Sequence, residues 1–484
     1  MDRQRTTPLF SKLKEHAQRN PIQFHIPGHK KGRGMDPEFR HFIGDNALSI
    51  DLINIEPLDD LHHPHGIIAE AQKLAAEAFG ADYTFFSVQG TSGAIMTMVM
   101  SVAEPGDKII VPRNVHKSVL SAIILAGALP IFVHPEMDET LGIAHGITAC
   151  QVEKALKKHP EAKAVLVINP TYYGVAGNLK EIVDLVHQHG IPVLVDEAHG
   201  VLTHFHERLP MSAMDCGADM AATSVHKLGG SLTQSSVLNV REGLVNPRRI
   251  QSIISMLTTT STSYILLASL DAARRYLATE GYEIIQRTLE LAEYARSEIN
   301  KIPGLLCMGK EWLGSDALYD LDETKLLIHL KNFAINGHDA EKWLRECHNV
   351  EVELSDLYNL LCLVTPGDTK ETIDRLLEAL KDLSGRFYQP EQTKQVNIRL
   401  PEIPELVLSP REAFYSDTVS IPLAESAGHI IAEFIMIYPP GIPVLAPGER
   451  ITEDNISYIV EHIKAGLPVQ GPEDPTLKTI RVIR

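Results

Sequence analysis

From Gly66 onward the chain alternates short apolar runs with segments of helical periodicity, and this alternation restricts the fold more than any other feature. The runs DYTFFSV, DKIIVP, LPIFVHP, AKAVLVINP, IPVLVDEAHG and ADMAATSVHK are short and bounded by turn residues, as buried strands are. Between them lie IIAEAQKLAAEAFG, which stops on Gly80, a stretch opened by QGTSG, and helical segments over 117–127, 151–158 and 180–189. Strands apolar on both faces, separated by helices, make a parallel sheet covered on both sides. The expectation is an α/β fold, in which ligands gather at the carboxyl ends of the strands. Four such ends are polar or glycine-rich: QGTSG, NPTYYG, DEAHG and SVHK.

The length of 484 residues exceeds one domain of about 100 to 200 residues. Residues 1–60 read as an N-terminal arm with one short helix, 61–285 as the large α/β domain, 286–384 as a small α+β domain and 385–484 as a C-terminal domain. A long helix from about Glu280 leads out of the large domain, and the polar stretch SGRFYQPEQTKQVN links the last two. No run is long and apolar enough for a membrane span. The N-terminus lacks a signal-type apolar core and the acid-poor character of a transit peptide, so a cytoplasmic location is expected.

Five cysteines without CxxC spacing speak against a disulfide framework or a zinc knuckle. A net charge of −17 excludes the basic surface that nucleic acid requires and favours cationic small molecules. LHHPHG and THFHE are rich in histidine but lack HExxH, so a metal-dependent hydrolase is disfavoured and no metal site is expected.

The strand ends differ in chemistry. In QGTSG, Gly90 permits close backbone approach, while Thr91, Ser92 and the amides of a helix start suit an anion; the same residues also serve as an ordinary N-cap. Asp196 ends a buried strand, where a carboxylate needs a cationic or hydrogen-bonding partner. A protonated ring nitrogen is one such partner, a cap or internal ion pair another. Ala198 is small enough to lie flat against a ring, and His199 is either a substrate contact or a polar loop residue. Lys227 ends the last of the six runs, where partial desolvation turns an amine into a nucleophile toward aldehydes. An anion cradle, a carboxylate for a ring nitrogen and a Schiff-base lysine are together what pyridoxal 5′-phosphate requires.

The motifs GTSGA, NVHKS, DEAHG, SVHK and LTTTSTSY, with FHIPGHKKG near the start and YPPGIPVLAPGE near the end, resemble those of the Orn/Lys/Arg decarboxylases. The likeness runs over nearly the whole chain and is nearest to the short bacterial arginine decarboxylases of polyamine synthesis, which lack an amino-terminal wing domain. It implies a fold-type I enzyme of the aspartate-aminotransferase fold with a mostly parallel seven-stranded sheet. It also implies that Lys227 holds pyridoxal 5′-phosphate, Asp196 pairs with the pyridine nitrogen and His116 stacks on the ring. Thr91, Ser92, Ser224 and His226 match phosphate contacts, and Thr259 matches one donated across a dimer interface. Glu449 corresponds to the glutamate of a PGE motif, a partner for the substrate's distal cation. Longer members have tryptophan where this chain has His199, which bears on the side-chain pocket.

The reaction implied is α-decarboxylation of a basic amino acid, L-arginine to agmatine and carbon dioxide, with Lys227 or His226 returning a proton to Cα. Lysine or ornithine decarboxylase is the runner-up, and a non-catalytic binding protein of the same fold is the other class. A homodimer or larger even homo-oligomer with active sites at the subunit interface is implied, with no nucleic-acid or membrane partner.

Overall fold

The computed structural model describes residues 3–391, 400–437, 442–464 and 469–484. Residues 392–399 of the expected linker and 438–441 of the YPPGIPVLAPGE motif lie outside the described residues. The arm holds three α-helices rather than one: α1 (Pro8–Arg19), α2 (Pro37–Ile43) and α3 (Asp45–Ile50). Pro8 and Pro37 start the first two, and the Asp36 carboxylate caps α2 by accepting from the Phe39 amide at 3.0 Å. Because α2 buries no residue and α3 only Leu48, neither has the apolar stripe that would reveal it in the sequence.

Helix α4 (Ile67–Phe79) ends on Gly80 in the left-handed conformation. Seven strands follow: β1 (Tyr83–Ser87), β2 (Lys108–Pro112), β3 (Leu129–Val133), β4 (Ala164–Ile168), β5 (Val193–Asp196), β6 (Met220–Thr223) and β7 (Ser236–Val240). Interleaved with them are α5 (Gly90–Val102), α6 (Lys117–Ala126), α7 (Ala149–Lys158), α8 (Leu179–His187) and the single turn α9 (Val225–Leu228).

These strands form one mostly parallel sheet, as expected; four of them, in the order β1-β7-β6-β5, belong to a first compact unit and three, β4-β2-β3, to a second. Within the units β5 runs parallel to β6, and β2 runs parallel to β3 and β4, whereas β7 is antiparallel to β1 and β6. Strand β7 is absent from the six apolar runs because it contains Asn239. That side chain is tolerated in a buried strand because it accepts from the Thr84 hydroxyl at 2.7 Å.

After α10 (Pro247–Leu257) comes α11 (Tyr264–Ile299), which starts well before Glu280. Gly281 lies inside this helix, close to the Phe205 ring, instead of marking its beginning. The next part is an antiparallel sheet of β8 (Leu305–Cys307), β9 (Lys325–Leu330), β10 (Leu354–Ser355) and β11 (Asn359–Leu363), with helices α12 (Gly337–His348) and α13 (Lys370–Phe387). Its core joins Leu326, Ile328 and Leu360 to Leu344, Leu377 and Leu380 of the helices. Because α13 runs to Phe387, it takes in the first residues of the expected linker.

The C-terminal part comprises α14 (Pro410–Tyr415), β12 (Thr418–Pro422), β13 (Ile435–Ile437), β14 (Ile442–Leu445), α15 (Glu453–Lys464), β15 (Val469–Gln470) and β16 (Thr479–Ile483). Ile431, Ile435, Leu445, Ile459 and Val482 form its core.

The first unit comprises Met1–Val102 and Pro192–Ile285, the second Ala103–Ile191 and Gln286–Arg484. In the first, Asp271 fastens the arm. One carboxylate oxygen accepts from the Leu9 and Phe10 amides at 3.0 and 3.1 Å, and the other accepts from Arg274 at 2.5 Å. Arg274 also donates to the carbonyls of Gln4 and Thr6, each at 2.7 Å, and both side chains are shut off from water. Removing one partner of a buried pair costs about 3–5 kcal/mol. Asp271→Ala is therefore expected to lower the unfolding midpoint and to speed proteolysis at Lys30 and Lys31, measured by thermal unfolding and limited trypsin digestion; unchanged cleavage would show that the arm is held by other contacts.

Candidate active site

Three of the four strand ends come together in the first unit. Asp196 lies opposite Ala222 where β5 runs parallel to β6, so the turn after β5 and the helix turn after β6 are adjacent. Asp196 is 5% exposed, and its Oδ1 accepts from the Ala198 amide at 3.2 Å. Burial pushes its carboxyl up, against the opposing pull of the Ala198 amide and the Lys227 charge. Lys227, in α9, places Nζ 2.6 Å from Nε2 of His199, which is itself buried after β5.

The hydroxyl of Thr91, in the first turn of α5, hydrogen-bonds those of Ser224 and Ser236, the latter at 2.8 Å. All three are buried, and each hydroxyl can both donate and accept. Gly90 has φ +67, and no heavy atom lies within 4 Å of where a Cβ would stand, so the backbone face there is open. Ser92 is partly exposed. His226 donates from Nδ1 to the Ser235 carbonyl at 2.9 Å, which leaves Nε2 as its other polar atom.

Thr259 lies on the exposed stretch before α11. Its carbonyl accepts from Nε2 of His62 at 3.0 Å, while His62 Nδ1 takes the Ser255 hydroxyl at 2.8 Å. His62 of the LHHPHG motif thus holds this loop from inside the chain. In THFHE, His204 pairs with Asp215 at 2.9 Å and His206 stacks on Tyr282.

Two expected site residues belong to the second unit. His116 is the exposed N-cap of α6; its Nδ1 accepts from the Ser118 amide at 3.2 Å, so the neutral ring carries its proton on Nε2. Glu449, expected as a partner for the substrate's distal cation, is instead fully buried against Arg113. The two carboxylate oxygens accept from Nη1 and Nη2 at 2.5 and 2.8 Å, and one also accepts from the Ala446 amide at 2.8 Å. Arg113 donates further to the carbonyls of Pro443 and Val444 and lies over the Phe132 ring. The fourth strand end, NPTYYG, turns toward the small sheet of the same unit, where the hydroxyls of Tyr172 and Tyr173 donate to Glu353 and Asp356.

Sequence reasoning missed Glu197, Ser236, Arg113 and His62. The signal for Glu197 was available, since successive side chains of a strand face opposite ways. While Asp196 faces Lys227, Glu197 accepts from the Ala213 amide at 2.7 Å and the Thr223 hydroxyl at 2.9 Å. Burial pushes its carboxyl up to about 7.

The donor set fits pyridoxal 5′-phosphate. It contains an amine for an aldehyde carbon, a desolvated carboxylate for a ring nitrogen, and clustered hydroxyls at the start of a 13-residue helix for a phosphate.

Comparison with known proteins agrees with this chemistry. The family model for the major domain of Orn/Lys/Arg decarboxylases matches residues 7–372, and that for their C-terminal domain matches 392–468. The arginine decarboxylase of Halalkalibacterium halodurans is 67% identical, covering 100% of this chain and 99% of that one. The arginine decarboxylase of Bacillus subtilis is 65% identical, covering 99% and 98%. A crystal structure of the Francisella novicida lysine decarboxylase LdcF aligns with a TM-score of 0.86 at 24% identity, over 99% of this chain and 81% of that one, a likeness of fold.

Glu197 makes stability depend on pH. Its folded-state value near 7 lies above the ordinary 4.5, so the unfolded chain loses the proton first, and stability falls as pH rises through that window. The loss is about 3 kcal/mol. Glu197→Gln does not titrate there, so the stability of this variant relative to the parent is expected to improve by that amount between pH 5 and pH 8. Denaturant unfolding at the two pH values measures it, and parallel curves would mean that Glu197 is already ionised at pH 5.

Proposed function

The chain belongs to the Orn/Lys/Arg decarboxylase family, and from that membership we propose that it removes the α-carboxylate of a basic amino acid, L-arginine, to give agmatine and carbon dioxide. Two arginine decarboxylases at 65–67% identity, aligned along nearly their whole lengths, support the choice of substrate. The observation that carries the reaction is the meeting of the Lys227 amine, the buried Asp196 carboxylate and the Thr91 hydroxyl cluster on neighbouring strand ends.

Pyridoxal 5′-phosphate, when bound, accepts the electron pair left as the bond from Cα to the carboxylate breaks. The remaining tasks belong to this chain. Lys227 is assigned to the aldehyde carbon of the cofactor, Asp196 to holding a proton on its ring nitrogen, and Ala198 and His116 to the ring. Gly90, Thr91, Ser92, Ser224 and His226 are assigned to the phosphate, and Thr259 to the phosphate of a neighbouring subunit. Carbon dioxide leaves, and a proton from Lys227 or His226 takes its place on Cα.

A homodimer with shared active sites accords with the exposed apolar residues of the arm, among them Ile22, Phe24 and Phe42 at 84%, 95% and 86% exposure, and with the exposed Thr259 loop. A cytoplasmic enzyme of polyamine synthesis is the setting that this reaction suits. Glu449 is assigned to anchoring rather than to the substrate, because a distal cation binding there would leave Arg113 buried and unpaired at a cost of about 3–5 kcal/mol.

Carbon dioxide release from arginine, lysine and ornithine at equal concentration tests the proposal. Arginine is expected to be preferred, and Lys227→Ala to lose more than about a thousandfold in rate. Glu449→Gln is expected to lower thermal stability while leaving the preference for arginine over lysine intact. Preference for lysine overturns the substrate, and full turnover by Lys227→Ala overturns the mechanism.

A further inference from the structure

We propose that His199 is the proton acceptor that frees the Lys227 amine for covalent chemistry. The proposal rests on the reading of Lys227 as the residue that binds the cofactor. The 2.6 Å separation of Lys227 Nζ and His199 Nε2 is a close contact between two nitrogen atoms. A protonated lysine has three donors and no acceptor, so when Lys227 is charged, Nε2 accepts and the imidazole carries its own proton on Nδ1. The contact is therefore a donor–acceptor pair already aligned for transfer.

The need for such a partner follows from ordinary acidities. A lysine amine with pKa near 10.4 is neutral in only about one molecule in 2,500 at pH 7, whereas most imidazole, with pKa near 6.5, is then an unprotonated base. Nucleophilic addition needs the lone pair on Nζ. In the step proposed, the Nζ–H bond breaks, its electron pair remains on nitrogen, an Nε2–H bond forms, and the positive charge moves to the imidazole. The amine is then free to add to the aldehyde carbon of pyridoxal 5′-phosphate.

The surroundings suit this transfer. His199 is 5% exposed, so bulk water does not readily take over its task. Asp196 is near enough to act on Lys227 by its charge and steadies the cation on Nζ before the transfer. The turn that carries His199 is closed by its backbone, the Gly200 amide donating to the Glu197 carbonyl at 2.9 Å. The tryptophan of longer family members has only an indole N–H donor at this position and cannot accept a proton. The device is thus a property of this chain and of others with histidine here.

The test uses the full chain stripped of cofactor. Pyridoxal 5′-phosphate is added, and its covalent capture is followed by absorbance and by borohydride trapping at Lys227, with no turnover involved. His199→Gln keeps a polar side chain without a titrating base and is expected to capture the cofactor at least tenfold more slowly. His199→Ala is expected to be equally slow and to recover when free imidazole is added, a response that a merely structural role does not produce. Circular dichroism of each apoprotein monitors folding, and His199→Gln carries the test where the alanine variant does not fold. Capture at the parent rate by His199→Gln, or slow capture by a folded His199→Ala that imidazole leaves unchanged, overturns the role of His199 alone. Failure of the parent chain to capture the cofactor overturns the reading of Lys227 together with it.

Discussion

The pairing of β5 with β6, which sets Asp196 opposite Ala222, is the constraint on which the site depends. A slip of one residue would turn both Asp196 and Glu197 to the faces opposite their present ones, because side chains alternate along a strand. Depending on its direction, the slip would bring either Glu197 to the place of Asp196 beside the lysine or Asp196 to the place of Glu197 beside the Ala213 amide and the Thr223 hydroxyl. In the observed register, two adjacent acids have different work: one stands within reach of the charge on Lys227, the other ties β6 to the turn at Ala213. Placing both carboxylates out of water is costly, and the weakened acidity of both, their pKa values raised by burial, expresses that cost.

Each unit keeps a buried arginine–carboxylate pair of the same design. Arg274 with Asp271 and Arg113 with Glu449 both direct further donors to backbone carbonyls of irregular segments, the arm in one case and the stretch at Pro443 and Val444 in the other. Such segments have carbonyls without ladder partners, and a guanidinium with five donors satisfies several at once. A hydrophobic replacement could match the packing but not these carbonyls. The pairs therefore select one arrangement of loop backbone, a role distinct from net stabilisation.

Much of the fold was legible because burial writes itself into sequence. Six strands announced themselves as apolar runs, and α4, α6, α7 and α8 as periodic segments between them. What escaped notice was polar and satisfied internally. Strand β7 was hidden by Asn239, α2 and α3 by their lack of a buried face, and the start of α11 by Gly281. The same holds for the site. Lys227, Asp196 and Thr91 stood at strand ends, where chemistry concentrates. The pairing of Glu449 with Arg113 leaves no mark in the sequence, because the two are more than three hundred residues apart and no local pattern links them.

Asp271 also sets the order of events in making the protein. The amides it caps in α1 lie 262 residues upstream, so the first helix leaves the ribosome long before its anchor exists. At about 5–20 residues per second the wait is on the order of tens of seconds. A twelve-residue helix is marginal by itself over that time. The arm, with its apolar side chains, is consequently made first and settled late, and a nascent chain must keep Ile22, Phe24 and Phe42 from misplaced contacts until α11 has been synthesised.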